Sequence, residues 1–527
     1  MEQSGISWIE AADVPIDIDG PEIEYSPFDP VAGPERPILG QIAERAELWP
    51  DQLAVRDDTR GLTYRALLSE ANALAAAIAA VATPGQPVGI RLEDTASGPL
   101  AFLACLAAAT PGVLLDCNDP PERLARIASV SRMAAIITDK ELPGYRNISP
   151  LGHAPVPFVP RPLAQHAPAF VVWTSGSSGQ PKGIVHSQSS VLHRAGLLVN
   201  SGHLGPADRY LSLNTPASMG ALLNAIAAWL AGATLHRVSV AQNGLGGILQ
   251  RIRENRITAM IGVPALYRML ARAGGAKASL SSLRLLSSNG EALLAADLAL
   301  LRACLPDSCK IQMVYGATET QAAMRFVPKD EMPAEAQVAA GRPIPGTQFV
   351  ILREDGSAAA LGETGELVIR SRYTAIGEWQ DGQCVEGRLL PDGEPGWRRY
   401  AMGDLVRQRE DGVLLVVGRA DRQLKLNGYR VEPVEIEAVL RSDADVLDSA
   451  VLPVTGPMGA ELVAFVSVEP AGEAALRPRL MALLATRIPA HMRPRRLHLL
   501  PSLPLLPGNK IDAAALRAHD AGLPGRV

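Results

Sequence analysis

The sequence has no cationic excess: 50 Lys and Arg stand against 55 Asp and Glu, a formal charge of -5. Such a chain has no field with which to grip a nucleic-acid backbone or an anionic membrane, and neither is expected as a partner. Cysteine is scarce and has no pairing pattern. Cys105, Cys117, Cys304, Cys309 and Cys384 are odd in number and widely spread, with no CxxC pair and no alternation with histidine. That argues against a disulfide framework or a zinc site and for a reduced, cytoplasmic setting. Long apolar runs are missing too. The most apolar stretches, Pro99–Ala109 and Gly220–Leu235, fall short of the ~20 residues a bilayer span needs. Asn224 interrupts the second, and both read as buried helices. Met1 to Ile16 is acidic and lacks the basic cap and apolar core of a signal peptide. No period of about 20–50 residues repeats, which excludes a solenoid.

What remains is a globular balance, 47% hydrophobic and 20% charged, against disorder or a fibrous architecture. The 527 residues predict several separate cores. Residues 1–37, rich in Pro, Asp and Glu and without helix or strand period, read as a loose or surface-draped extension with no assigned function. A large domain follows over 38–420. Its pattern predicts a helix at Ile38–Trp49, a strand at Leu53–Arg56 and a helix at Thr63–Val81. Strands at Gln86–Arg91, Gly112–Asp116 and Ala134–Thr138 alternate with helices at Ala96–Ala109 and Pro121–Ser129, the rhythm of a parallel sheet with crossover helices. The rhythm returns in Tyr210–Met324. After Ala339 come short, glycine-punctuated strands at Gln348–Leu352, Gly365–Arg370, Asp404–Gln408 and Val413–Val417, a β-rich subdomain. Beyond a polar joint at Gly418–Gly428, a helix at Val431–Leu440, strands at Asp448–Val454 and Glu461–Val468 and a helix at Glu473–Ala485 predict a small α+β domain over 421–527. The fold class is α/β.

The densest chemical signal is a buried strand, Ala169–Trp173, running into Thr174-Ser-Gly-Ser-Ser-Gly-Gln-Pro-Lys-Gly183. Backbone N–H and hydroxyl groups of Thr174, Ser175, Gly176, Ser177, Ser178 and Gly179 can surround phosphate oxygens, and Lys182 adds a point charge. The bland alternative is a flexible Gly/Ser turn. A Walker loop is excluded, because Pro181 precedes Lys182 and Gly183 stands where a magnesium-holding Ser or Thr belongs.

This loop resembles the phosphate loop of the adenylate-forming superfamily, which includes acyl-CoA ligases, luciferases and nonribosomal peptide synthetase adenylation domains. Further blocks stand in the family's order. Leu62-Thr-Tyr-Arg-Ala-Leu67 comes first, then Leu115-Asp-Cys-Asn-Asp-Pro-Pro-Glu-Arg123, which resembles the peptide-synthetase branch. Tyr315-Gly-Ala-Thr-Glu-Thr320, Gly365-Glu-Leu367 and Tyr400-Ala-Met-Gly-Asp-Leu405 follow. Gly418-Arg-Ala-Asp-Arg-Gln-Leu-Lys425, Asn427-Gly-Tyr-Arg430 and Pro507-Gly-Asn-Lys-Ile-Asp512 complete the set. The resemblance covers Ile38 to Asp512 and is nearest to peptide-synthetase adenylation domains. It implies a large domain hinged to a small mobile one, and two half-reactions. A carboxylate and MgATP give an acyl-adenylate, and a carrier protein's phosphopantetheine thiol then takes the acyl group.

The chemistry explains the residue types: a carboxylate meeting the α-phosphate of ATP needs cations between two anions. By resemblance Glu319 ligates Mg²⁺, Thr318 contacts the α-phosphate and Tyr315 stacks on adenine, with Asn289 and Gly290 beside the nucleotide. Asp404 accepts the ribose hydroxyls with Arg419 nearby. Asp421 matches the hinge, Lys510 the lysine that bridges carboxylate and phosphate, and Lys425 to Gly428 the thiol's approach. Taken singly, Asp404 would be a turn residue and Lys510 a solvated charge.

Two departures stand out. Met313 occupies a position where relatives often have Asn for the adenine amino group. Met219 stands where domains specific for α-amino acids carry an Asp for the ammonium. By alignment with the family's blocks, Met219, Gly220, Leu223, Ile261, Ser287, Asn289, Val314, Ala322 and Ala323 line the acid pocket, an apolar, uncharged wall with Lys510 at its carboxylate end. Burying an ammonium there without a carboxylate is costly. The expected substrate is a small to medium acid without a charged α-amine, such as a hydroxy, keto, branched acyl or aryl acid, with Ser287 or Asn289 for one polar substituent. Alternatives stay open: an acyl-CoA ligase using free CoA, or an inactive scaffold, which the retention of Lys182, Glu319, Asp404 and Lys510 disfavours. No Gly-x-x-Ser carrier segment follows Asp512 and no His-His-x-x-x-Asp-Gly condensation motif occurs. The expectation is a free-standing or excised activating enzyme, the former served by a carrier protein in trans.

Overall fold

The computed structural model describes residues 7–11, 15–93, 95–155, 157–174, 181–331, 337–420, 424–426, 429–456, 459–468, 473–506 and 510–522. At Ala241, Lys425, Arg430, Val434, Gly459, 473–475, Leu505, Leu506 and Lys510 the backbone alone is described. Contacts group the chain into two units, one of residues 1–117, 128–173 and 183–421, the other of 118–127, 174–182 and 422–527.

The first unit carries the two large sheets that the strand–helix rhythm predicts. In the nine-stranded sheet the strands Lys310–Gly316, Leu285–Asn289, Ala259–Gly262, Arg209–Ser212, Thr234–Arg237 and Leu53–Arg56 lie side by side in parallel. Antiparallel neighbours, among them Gln321–Phe326 and Gly61–Thr63, complete its edges. The eight-stranded sheet has a parallel centre of Phe170–Thr174, Gly112–Leu114, Val88–Arg91 and Ala135–Thr138. The glycine-punctuated region forms an antiparallel sheet around Thr347–Leu352, Thr364–Ser371, Arg398–Gln408 and Leu414–Arg419.

Helix Tyr64–Ala79 shows how sequence sets an element. The Thr63 hydroxyl accepts from the Ala66 N–H at 3.2 Å, a side-chain cap, and Leu67, Ala71, Leu74, Ala75 and Ile78 recur at helical spacing on its buried face.

One reading needs correction. Gly220–Leu235 is not one helix. The helix runs Met219–Leu230, Gly232 turns the chain at φ +75°, and a strand begins at Thr234. A Cβ on Gly232 would lie 2.5 Å from the Trp49 ring, so both conformation and space call for glycine. Of the two arrangements expected before Ile38, loose or surface-draped, the described residues take the second. Ile9–Glu10 adds a strand beside Gln348 and Phe349. The Phe28 N–H donates to Asn200 Oδ1 at 2.7 Å, Asn200 Nδ2 returns a bond to the Phe28 carbonyl at 2.9 Å, and the buried Phe28 ring rests on Gly33 and Gly196.

The second unit is a small α+β body. Strands Val446–Gly456 and Gly459–Val468 form a hairpin, with Arg496–Leu500 parallel to the second. Helices Pro433–Arg441 and Glu473–Arg487 bury Ile436, Leu440, Leu480 and Leu484 with Val451, Val466 and Leu497. Arg123 is grouped with this unit and forms buried ion pairs with Asp119, at 3.2 Å, and with Glu435. Among the described residues no helix is long and apolar enough to cross a membrane.

Candidate active site

In a parallel sheet, ligands bind beyond the carboxyl ends of the strands. In the nine-stranded sheet those ends carry Asn289–Gly290 and Tyr315–Gly316, followed by the turn 317–320. Tyr315 is buried, and its hydroxyl donates to Asp404 Oδ2 at 2.5 Å. The other oxygen, Asp404 Oδ1, accepts from Arg419 Nη1 at 2.6 Å, and the same nitrogen donates to the Met402 carbonyl at 3.2 Å. Asp404 and Arg419 are direct partners on neighbouring antiparallel strands, so the sheet register sets the pair. Gly403 before the carboxylate has φ +70°, a left-handed step that few residues other than glycine tolerate. Burial first, and then the Asp404 charge, push the Tyr315 phenol well above its ordinary range, so it stays protonated as a donor. Asp404 is only 3% exposed, and a carboxylate clamped by two donors still has lone pairs for further hydroxyls.

The turn after Tyr315 is held from beneath. Arg194, on the buried helix Gln188–Gly202, donates to the Thr318 carbonyl at 2.8 Å and to the Ala317 carbonyl at 3.1 Å. The Ala375 N–H donates to the Glu319 carbonyl at 2.7 Å, and Ala317 N–H to the Thr320 carbonyl at 2.7 Å. Glu319 is 3% exposed. Burial pulls the Arg194 guanidinium down to about 10, opposed by Glu319, and it remains a cation at neutral pH. His186 is fully buried beside the same turn, and burial, then Arg194, hold its imidazole well below the usual histidine range. Arg194 and His186 stand outside all the sequence motifs. Neither carries a clear signal: Arg194 stands in a helix that also holds Gln188, Ser189, Ser190, His193 and Asn200, and His186 ends a strand that opens on Lys182.

Thr174 ends the strand leading into the Gly/Ser loop, and its buried Oγ1 has no hydrogen-bond partner among the described residues, a donor of the kind a phosphate oxygen satisfies. Lys182 opens the following strand. Ser175, Gly176, Ser177, Ser178, Gly179 and Asp421 lie outside the described residues. Lys425 pairs through its backbone with Arg430, and Lys510 with Leu506.

For the acid pocket, Met219, Leu223 and Ile261 share one apolar core, with Val314 packed against it. Ala322 and Ala323 fall instead into the core that contains Tyr315. A Cβ on Gly220 would lie 2.9 Å from the Asn214 amide, so helix and amide are in close contact. That amide belongs to a chain. Tyr210 O–H donates to Asn224 Oδ1 at 3.3 Å, Asn224 Nδ2 to Ser212 Oγ at 2.9 Å and Asn214 Oδ1 at 3.0 Å, and Asn214 Nδ2 to Asn289 Oδ1 at 3.4 Å. Met313 packs in the core on the opposite face of the sheet, with Leu286 and Ile311.

The family model described as AMP-binding enzyme matches residues 42–379, and that described as AMP-binding enzyme C-terminal domain matches 435–510. The chain is 33% identical over 509 residues to the phosphinothricin tripeptide synthetase PhsC of Streptomyces viridochromogenes, covering 91% of this chain and 45% of that protein. It is 32% identical over 487 residues to the phenyloxazoline synthase MbtB of Mycobacterium tuberculosis, covering 90% of this chain and 34% of that protein. The chain thus spans less than half the length of these two relatives. Among solved structures it resembles holo-PA1221, a peptide-synthetase protein containing adenylation and carrier (PCP) domains, with a TM-score of 0.80 and 25% identity over 93% of this chain and 85% of that one.

Proposed function

Because the chain belongs to the family of AMP-binding enzymes and is an adenylate-forming ligase, we propose that it activates a small carboxylic acid for loading onto a carrier protein. Carboxylate and ATP give acyl-adenylate and pyrophosphate, and a phosphopantetheine thiol then displaces AMP to form the thioester. The observation that carries this reading is the Asp404 carboxylate, buried yet held open by Tyr315 and Arg419. Its remaining lone pairs suit the two hydroxyls of a ribose, and the Tyr315 ring, fixed by the same hydrogen bond, offers a face for a purine.

Bound MgATP would supply the adenylyl group and the metal charge; the chain supplies position. Glu319, a buried carboxylate on a braced turn, suits Mg²⁺, and the Thr174 hydroxyl, without a partner among the described residues, suits a phosphate oxygen. Thr318 and Lys182 are assigned to the phosphates by their motifs. So are Lys510 to the meeting of carboxylate and α-phosphate, Lys425 to the approach of the thiol, and Asp421 to a hinge between half-reactions. The apolar Met219 position favours an acid without a charged α-amine. PhsC and MbtB, named for peptide and phenyloxazoline synthesis, support a peptide-synthetase-type role, and holo-PA1221 supports a carrier as partner.

Acid-dependent exchange of labelled pyrophosphate into ATP, measured over a broad acid panel, tests adenylation. Asp404→Ala should lower it by roughly 10²–10³. Mass spectrometry of a holo-carrier incubated with enzyme, acid and ATP tests loading. Thioester formed only on free CoA would replace the carrier with CoA as acceptor.

A further inference from the structure

The sheet face against Met219 and Leu223 contains a buried hydrogen-bond donor that no described residue uses. Across the nine-stranded sheet, Ser212, Ile261, Ser287, Gln312 and Phe326 stand in register on successive strands. Side chains alternate faces along a strand. Leu286, Ile311 and Met313 enter one core, whereas Leu285, Ile261 and Val314 belong with Met219 and Leu223 in the other. Ser287 and Gln312 therefore project to the Met219–Leu223 side. Gln312 is 1% exposed, and its Oε1 accepts the Ser287 hydroxyl at 2.7 Å. Its Nε2 is buried and has no hydrogen-bond partner among the described residues. The flanking Ile261 and Phe326 cannot accept a bond, and the Ser287 carbonyl is taken by the Tyr267 hydroxyl at 2.6 Å. The amide is oriented by its bond from the Ser287 hydroxyl, and it is this orientation that leaves the Nε2 donor over; turned the other way, Nε2 would bond Ser287 Oγ and leave the Oε1 acceptor in its place.

We propose that Gln312, with Ser287, reads an oxygen on the substrate, so that the acid taken by this site carries a neutral hydrogen-bond acceptor remote from its carboxylate. This rests on the adenylation reading above. A buried donor left unmade is unfavourable, and such groups in folded proteins nearly always find a partner, here the ligand. The Ser287/Gln312 row lies two positions back along the parallel strands from Asn289 and Val314, about 7 Å at ~3.3 Å per residue. It is further still from the turn that carries Thr318 and Glu319, so the donor meets the substrate's far end. Ile261, Ser287, Gln312 and Phe326 hold no charge, which selects a ketone, ether, amide or hydroxyl oxygen over a second carboxylate.

The test is pyrophosphate exchange by the full chain on matched acids: a hydrocarbon acid, its keto and hydroxy analogues substituted next to the chain end, and the dicarboxylic acid of equal length, repeated over several lengths and on aryl equivalents. The neutral acceptor should be favoured over the hydrocarbon by roughly ten- to hundredfold in kcat/KM at the matching length, with the dicarboxylic acid poor. Gln312→Leu, close in volume, should reverse that preference, and Ser287→Ala should weaken it. Exchange that shows no preference for the acceptor in the unaltered chain, or a preference that survives Gln312→Leu, overturns the inference and leaves adenylation standing. Exchange with no acid in the series overturns both.

Discussion

Arg194 spends a buried positive charge on two backbone carbonyls, those of Ala317 and Thr318, immediately before Glu319. Removing it takes a donor from two carbonyls and a cation from the surroundings of Glu319, so the turn should loosen where the proposed metal ligand sits. Arg194→Met should raise the Mg²⁺ concentration needed for half-maximal pyrophosphate exchange and lower kcat by roughly 10–100-fold, with Arg194→Lys intermediate. Loss of activity with an unchanged Mg²⁺ requirement would make Arg194 structural only. The contrast with its neighbours shows what a sequence exposes. Tyr315, Thr318 and Glu319 are contiguous, and contiguity is legible. Arg194 acts across 124 residues through main-chain oxygens that any residue could supply, and so leaves no pattern. Gln312 is hidden for a related reason. One polar letter in a buried strand does not reveal whether its amide has found a partner.

Helices and strands were largely readable, since burial imposes a period. The expected helix at Thr63–Val81 is Tyr64–Ala79, and the strand Leu53–Arg56 has the bounds the pattern gave. How the segment before Ile38 docks was not, because it rests on a two-residue strand, the Phe28 and Tyr25 rings and a few hydrogen bonds rather than on a repeating face. Its seat was prepared elsewhere. A Cβ on Gly196 would lie 2.1 Å from a ring carbon of Phe28, so the helix Gln188–Gly202 carries glycine where the ring crosses it. Gly196→Ala should therefore destabilise the fold by about 1–3 kcal/mol, despite alanine's higher helix propensity, and Phe28→Ala by about 3–5 kcal/mol through loss of a buried ring. The two should not add. With the ring gone the new methyl has room, and the double variant should unfold no more easily than Phe28→Ala alone in urea titrations. Additive losses would mean that the ring does not rest on Gly196.

For the molecule as a whole, buried histidines set the response to acid. His193 and His236 lie in the first unit, 4% and 5% exposed, and burial lowers each imidazole to about 4. His491 in the second unit is lowered to about 3, again chiefly by burial. In the unfolded chain each takes up a proton near pH ~6.5. Below that pH the unfolded state therefore binds more protons than the folded one, and stability falls as pH drops toward the folded values. For His193 the gap corresponds to about 3 kcal/mol, complete only near the folded value and absent above neutrality. The thermal midpoint should accordingly be flat above pH ~7 and decline from there toward pH ~5. His193 gives the sharpest test, because its ring stacks on Tyr373 with centroids 4.0 Å apart and planes at 6°. His193→Phe preserves that stack and deletes the titrating nitrogens, losing the hydrogen bond with the Pro345 carbonyl at 3.1 Å. Its stability at pH ~7.5 should be lower by about 1 kcal/mol, and the acid decline shallower, so that the two curves converge and then cross as pH falls. Parallel curves for the variant and the unaltered chain from pH ~7.5 to ~4.5 would remove His193 from the set of groups that govern acid unfolding.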